Sequence, residues 1–500
     1  MLVIISDLHL TDGSSGATIP PAAFLIFAER LRDMAFSASW RQDGNYRPVD
    51  RIDLVLLGDG LDVIRSSRWS LRREVRPWGN PHDPELFATV SKITQDILQH
   101  NAASLQVLRG LANEASIRIP PANNRHHPVF DAELLPVPVK IWYMVGNHDW
   151  FFHLPGSNYD ALRETVVRNM GLANRHDQPF PHEPAECDDL LDAMRRHRVF
   201  ARHGDIYDPF NFEGDRDTSS LGDAIVIDLL NRFATEVEGE LAADLPEGTL
   251  AGLREIDNVR PSLLVPVWVD GVLERSCSFP ALRKRVKKVW DRLADEFLEL
   301  KFVQERDTWS PNDLVDGLQR ALKFSQKVST GWASSIIKWI QTLRGAGEGS
   351  YYQFALQEQD FRNRRAMHIV YGHTHDAETI PLDASYADSR ILNQVYFNSG
   401  TWRRVHRQTQ LCPAEHEFIP CDVMTYLSFF RGDERGGRPY EAWTGMLGIS
   451  AASDESLHRI DPGMESPSYG QPVQAPGLQG HAPHFPLSPG KAGKVPSRRV

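Results

Sequence analysis

The sequence predicts a layered α/β fold interrupted by a large, mainly helical insertion. Short apolar runs at residues 2–5, 54–57, 141–145 and 199–201 are each followed closely by an Asp, Asn or His. Helical patterns occupy the intervals between these runs, which is how alternating α and β layers read in a sequence. Over residues 211–368 the strand signals thin out and long amphipathic stretches replace them.

Taken in order, Leu2-Val3-Ile4-Ile5 is the first strand, and residues 21–34 follow with a helical pattern. Asp83-Pro84 reads as an N-cap followed by a proline in the first helical position. Leu86, Val90, Ile93 and Ile97 then mark one face of the helix it opens. In the insertion, residues 224–237 and 282–302 are the longest amphipathic stretches. The sheet pattern resumes with His368-Ile369-Val370-Tyr371, continues through Val395-Tyr396-Phe397 and closes with residues 423–430. The chain thus divides into a core (1–210 and 369–430), an inserted helical cap (211–368) and a C-terminal extension (431–500). Residues 461–500 contain 8 prolines and 6 glycines, so the extension is expected to be disordered from about residue 457.

Composition narrows the function. The 500 residues are 41% hydrophobic and 24% charged, as in a soluble globular protein. A formal charge of -11 gives no basic footprint for tracking a phosphate backbone, which disfavours nucleic acid as a partner and a nuclease as the function. The 4 cysteines form no CxxC pair, so disulfides and zinc fingers are poor readings. The opening apolar run is too short and too soon acidic for a signal peptide, and no stretch reaches the roughly 18 apolar residues of a membrane span. A cytoplasmic location is the expectation.

Five short motifs carry the chemistry: Asp7-Leu8-His9, Gly58-Asp59-Gly60-Leu61-Asp62, Gly146-Asn147-His148-Asp149, His203-Gly204-Asp205 and Gly372-His373-Thr374-His375. Asp-x-His alone is a weak signal, whereas Gly-Asn-His-Asp and Gly-His-Thr-His directly after apolar strands are strong ones. Residues two apart on an extended segment point the same way, so Asp7 with His9, and His373 with His375, can each present two ligands to one cavity. Imidazole mixed with carboxylate and amide oxygen suits borderline divalent ions.

In order and spacing the five motifs resemble the calcineurin-like metallophosphoesterase superfamily. The resemblance covers roughly residues 1–210 and 368–430. It implies a β-sandwich flanked by helices in α/β/β/α layers and two divalent ions, manganese first, with iron, zinc or nickel as alternatives. One ion would take Asp7, His9 and His375, the other Asn147, His203 and His373, and Asp59 would bridge them. A hydroxide held between the ions would attack a phosphomonoester, phosphodiester or pyrophosphate. His148 would act as general acid, with Asp62 holding its ring. The alternatives are a metal-binding scaffold without catalysis, whose ligands would typically be degraded, and a nuclease. The lipid A precursor pyrophosphatases of the superfamily usually carry arginine where His148 stands, a departure that weighs against a nucleotide-sugar lipid. The insertion and the turn Asn398-Ser399-Gly400-Thr401-Trp402 still leave a lipid open beside a phosphorylated small molecule.

Several residues near the motifs have plainer readings. Asp149 and Asp205 are expected to make structural hydrogen bonds, the 398–402 turn to serve packing, and Arg65 and Arg68 to be solvated loop arginines rather than phosphate contacts. The basic, Trp-containing stretch from Lys323 to Arg344 is either a core face or a peripheral membrane contact. The insertion starts soon after His203 and ends just before His373. Both ends are therefore expected beside the centre, with the insertion selecting substrates.

Overall fold

The computed structural model describes residues 1–260, 265–277, 279–307, 314–327, 350–387, 390–409 and 418–448. The stretch around Trp332 and Trp339 and the extension beyond residue 448 lie outside them, and with them the expectations of a membrane contact and of disorder from about residue 457.

The protein is a mixed α/β structure built on two sheets. In the first, β1 (Leu2–Ile5) lies between β2 (Ile52–Leu57) and β12 (Phe418–Phe429), and β5 (Val139–Met144) extends the sheet beyond β2. Pairing of β1, β2 and β5 is parallel, and that of β1 with β12 antiparallel. β11 (Arg403–Gln408) and β13 (Tyr440–Gly448) also pair with β12, and the two-residue β7 (Val259–Arg260) pairs with β11. The second sheet runs β6 (Val199–Ala201), β8 (His368–Tyr371), β10 (Arg390–Asn398), β9 (Glu378–Ala387), with only β9 antiparallel to its neighbour. A separate hairpin joins β3 (Arg118–Ile119) to β4 (Leu135–Pro136).

Period-two alternation sorts the side chains into layers. Leu2 and Ile4, with Val55, Leu57, Trp142 and Met144, share one buried cluster with Val199, Ala201, Val370 and Phe397 of the second sheet. Val3, Ile5, Leu54, Leu56 and Ile141 point the other way, into helices Pro21–Ala38, Pro84–His100, Ala102–Asn113 and Ser157–Met170. The helix start read at Asp83-Pro84 is present, with the Asp83 carboxylate accepting from Glu85 N at 2.9 Å. Leu86, Val90, Ile93 and Ile97 are its buried face.

Described residues between Leu221 and Leu322 form a second, mainly helical core in which Leu229, Phe233 and Val237 pack against Val286, Leu293 and Phe297. It is tied to the first core by buried polar contacts. Arg76 donates to both oxygens of Asp228 (3.0 and 2.8 Å), and Asn231 Nδ2 donates to Ile64 O (2.9 Å). Both partners in this second core, Asp228 and Asn231, lie on a π-helical stretch, Ile225–Asn231.

Three expectations need correction. The sheet does not close at residue 430, because β13 pairs along β12 beyond that point. Its side chains alternate between exposed and half-buried, so no apolar run announces the strand. The far end of the inserted stretch returns to the centre at Tyr351, whose ring stacks on that of His373 with centroids 6.3 Å apart, but its last residue does not lie there. β6 and β8 are parallel, with Val199 opposite His368 and Ala201 opposite Val370, so His368 enters β8 at the end remote from His373. Arg65 is no solvated arginine either. It is 2% exposed and lies against Asp62 (3.6 Å) and Asp257, a residue distant in sequence.

Candidate metal centre

Within each sheet the strands that precede the motifs are parallel, β1, β2 and β5 in the first and β6 and β8 in the second, so each sheet carries its motifs at one end. The backbone there is not extended. Asp7, His9, Asp59, His373 and His375 have φ of 54, 44, 52, 68 and 63°, the left-handed region that side chains with a Cβ rarely enter. Such conformations persist only when the surroundings impose them, and they concentrate at functional sites. Each pair does share a cavity, but through alternate left-handed residues past the end of a strand rather than through an extended segment.

Hydrogen bonds hold these turns. Asp7 N donates to Gly58 O (3.1 Å) and His9 N to Asp59 O (2.9 Å). Asp7 O accepts from Trp402 N (3.1 Å) and Thr401 Oγ1 (2.8 Å), so the 398–402 turn packs directly on the first motif. The glycines leave room for the motif side chains. A Cβ on Gly58 would lie 2.4 Å from His203 Nδ1, one on Gly146 2.3 Å from Asp59 Oδ1, and one on Gly372 2.7 Å from Asp7 Oδ2.

The side chains form two groups that meet at Asp59. Asp7, His9 and His375 make the first, with His375 Nε2 3.3 Å from Asp7 Oδ1 and the Nε2 atoms of His9 and His375 facing each other at 2.9 Å. Asp59, His203 and His373 make the second, with His203 Nε2 3.2 Å from both Asp59 Oδ2 and Asn147 Oδ1. Asp59 Oδ2 is also 3.7 Å from His9 Nε2, and thus faces both groups. Ring tautomers are fixed from outside, the pattern found around metal-bound histidines. His203 Nδ1 donates to Leu57 O (2.9 Å), and His9 Nδ1 donates to Asp62 Oδ2 (2.8 Å), which leaves Nε2 of each as the inward nitrogen. His373 Nε2 is taken by Asp208 (3.0 Å), which leaves its Nδ1.

Electrostatics favour cations at this place. Burial raises the carboxyl pKa of Asp7, Asp59 and Asp62, yet the surrounding histidines overcome it and hold all three well below the usual carboxylate range. Burial likewise opposes charge on His203, but Asp59 outweighs it and the ring is raised to about 10. His148 is raised to about 9, with Asp62 and then Asp59 overcoming burial. The buried Asp7 Oδ1 has no hydrogen-bond donor, an orphan that native interiors rarely tolerate. An ion between Asp7, His9 and His375 would satisfy it, so the residues present fit a metal.

His148 lies in the same cluster, with ligand atoms of His148, His9 and Asp59 within 4.8 Å of one another; its Nδ1 donates to Asp62 Oδ1 (2.7 Å), and its Nε2 is 4.0 Å from Asp59. Asp149 is structural, accepting from Gly60 N (2.8 Å), Gly146 N (2.6 Å) and Tyr143 OH (2.6 Å). Asp205 is likewise occupied, by Arg216 (2.7 Å). Arg68 is partly exposed and paired with Asp96.

Sequence reasoning missed Asp208 and Asn211. Asn211 Nδ2 donates to Asp208 Oδ2 (2.8 Å) while its Oδ1 accepts from Asn147 Nδ2 (3.2 Å), joining two motif loops. The only signal was their place soon after His203, in a polar stretch without periodicity. Neither the family models nor the curated proteins compared with this chain give a match.

Proposed function

We propose that this protein is a dinuclear metal-dependent phosphoesterase of the calcineurin-like kind, with a two-sheet catalytic core and an inserted helical segment. The observation that carries the reading is the position of Asp59, whose Oδ2 faces His203 Nε2 at 3.2 Å and His9 Nε2 at 3.7 Å, as a carboxylate shared by two ions requires. Asp7, His9 and His375 would hold one ion, and Asn147, His203 and His373 the other. Manganese fits this nitrogen and oxygen donor set, as do iron, zinc and nickel. When bound, the ions supply Lewis-acid polarisation of the phosphoryl group and a water acidified to near neutrality.

The remaining roles belong to the chain itself. Asp62 keeps His148 Nδ1 as a donor, so the proton available for transfer sits on Nε2. The His148 side chain is 15% exposed, whereas that of Asp59 is 1% exposed, so His148 is the group that reaches toward a substrate. It would protonate the leaving oxygen of a phosphomonoester, phosphodiester or pyrophosphate. The strained ligand turns and outward hydrogen bonds keep the donors fixed before ions or substrate arrive.

Assaying manganese- and zinc-loaded protein against a panel of monoesters, diesters and pyrophosphates tests the reading. Hydrolysis of at least one class, abolished by chelation and restored by manganese, is expected. Two bound ions with no turnover on any class would instead favour a metal-binding scaffold.

A further inference from the structure

Outside this centre, the chain that follows Asn147-His148 and the chain that follows His203 meet again at His153, His182 and Asp217. One ligand atom from each lies within 4.8 Å of the others. His182 Nε2 is 3.2 Å from Asp217 Oδ1, and His153 Nε2 is 3.8 Å from Asp217 Oδ2. Tetrahedral zinc with bonds of about 2.0–2.1 Å separates its ligands by roughly 3.3 Å, so these spacings suit one ion between them. The rings of His153 and His182 lie side by side, centroids 4.3 Å apart.

We propose that His153, His182 and Asp217 form a third metal site, taking a borderline divalent ion such as zinc and leaving its fourth position to water. Three features single the cluster out from an incidental histidine contact. His153 Nδ1 donates to Phe180 O at 2.8 Å, which leaves Nε2 as a lone pair aimed at Asp217, the arrangement seen around bound metals. His182 is 4% exposed, and its Nε2 faces the same carboxylate at 3.2 Å. The Asp217 side chain is 38% exposed, which gives the ion a route in and room for water.

The neighbouring contacts indicate what the site does. Arg216, next to Asp217, pairs with Asp205 (2.7 Å) and Glu183 (3.1 Å), and His182 N donates to Glu186 (2.8 Å). An ion here would pin residues 205–217, which include Asp208 and Asn211, to the turn Trp150–His153 that follows His148. Its task is to hold two loops of the dinuclear centre in register, and it stands without the phosphoesterase reading.

Metal analysis of zinc-loaded, desalted protein tests the proposal. Wild type should hold three ions per chain, and Asp217→Asn and His153→Gln two each. Asp59→Asn, which disrupts only the dinuclear centre, should keep the ion at His153, His182 and Asp217. Equal metal content in wild type and Asp217→Asn would overturn the site. If Asp59→Asn changed nothing while Asp217→Asn lost one ion, the dinuclear reading would fail and this site would stand. Anomalous diffraction at the zinc edge from wild-type crystals decides the matter without relying on a variant's folding: a peak among the three side chains supports the site, and its absence refutes it.

Discussion

His9 and His148 hang on opposite oxygens of one carboxylate: Asp62 Oδ2 accepts from His9 Nδ1 at 2.8 Å and Oδ1 from His148 Nδ1 at 2.7 Å. A proposed metal ligand and the proposed acid thus share a single anchor. Asp62→Ala should therefore lower metal affinity about 10–100-fold and reduce turnover further by freeing the acid. Metal titration with kinetics at saturating manganese checks this, and wild-type affinity in the variant would show that the anchor is idle.

Asp59 and His148 should separate cleanly. Asp59→Asn is expected to bind fewer ions at the dinuclear centre, because it weakens the carboxylate facing both groups. His148→Asn should keep both ions and lose about 10²–10⁴-fold in kcat, the usual worth of a positioned acid. The loss should be greatest on substrates with poor leaving groups. A leaving-group series measured alongside metal content tells the two roles apart, and an emptied site in His148→Asn would reverse the assignment.

Gly146 has no room for a side chain. A Cβ there meets Asp59 Oδ1 at 2.3 Å and the His203 ring from 2.7 Å, both held in place by the fold. Gly146→Ala should destabilise by about 1–3 kcal/mol and weaken metal binding. Gly239, exposed in the helix Arg232–Leu241 with nothing within 4 Å of its added Cβ, is the control. Gly239→Ala should stabilise by up to ~1 kcal/mol in a thermal melt.

Removing metal should cost stability because Asp7, Asp59 and Asp62 are buried as anions. At an ion concentration a hundredfold above Kd, each occupied site adds about 2.7 kcal/mol. Scanning calorimetry with and without chelator should show a lower melting temperature for the stripped protein. Equal temperatures would mean that the centre binds no ion in the native state.

Acid should destabilise the fold through His197 and His368. Burial is the largest cause of the shift in each and depresses both to about 4. An unfolded histidine titrates near 6.5, so between about pH 6.5 and 4 the unfolded chain binds more protons, and stability falls as pH falls. Each ring contributes up to about 3 kcal/mol across that window. His368→Phe, which keeps an aromatic ring against Phe397 and Phe429, should flatten the dependence of melting temperature on pH over this range. An unchanged slope would remove His368 from the account.

What could be read in the sequence was what is local. Gly58-Asp59 and Gly146-Asn147 announce themselves because an apolar strand, a glycine and a polar side chain stand together. The burial of Arg65 could not be read, since it depends on Asp257, which lies far away in sequence. Asp208 was hidden for the same reason, as it matters only once folding brings it to His373. β13 escaped because a half-exposed strand on the rim of a sheet has no apolar run. The left-handed φ of Asp7, His9, Asp59, His373 and His375 left no trace either, because aspartate and histidine stand where glycine would have given the conformation away.

β6 and β8 lie side by side in register although a long excursion of the chain separates them. Two neighbouring strands joined in this way give evolution a socket. What lies between Asn211 and Tyr351 can be lengthened, trimmed or exchanged without shifting a hydrogen bond between β6 and β8, although β7, which lies within it, would give up its pairing with β11. The entropy of closing such a loop rises only by about 0.6 kcal/mol per doubling of its length. A chimera carrying a foreign segment between Asn211 and Tyr351 should therefore retain the pairing of β6 with β8.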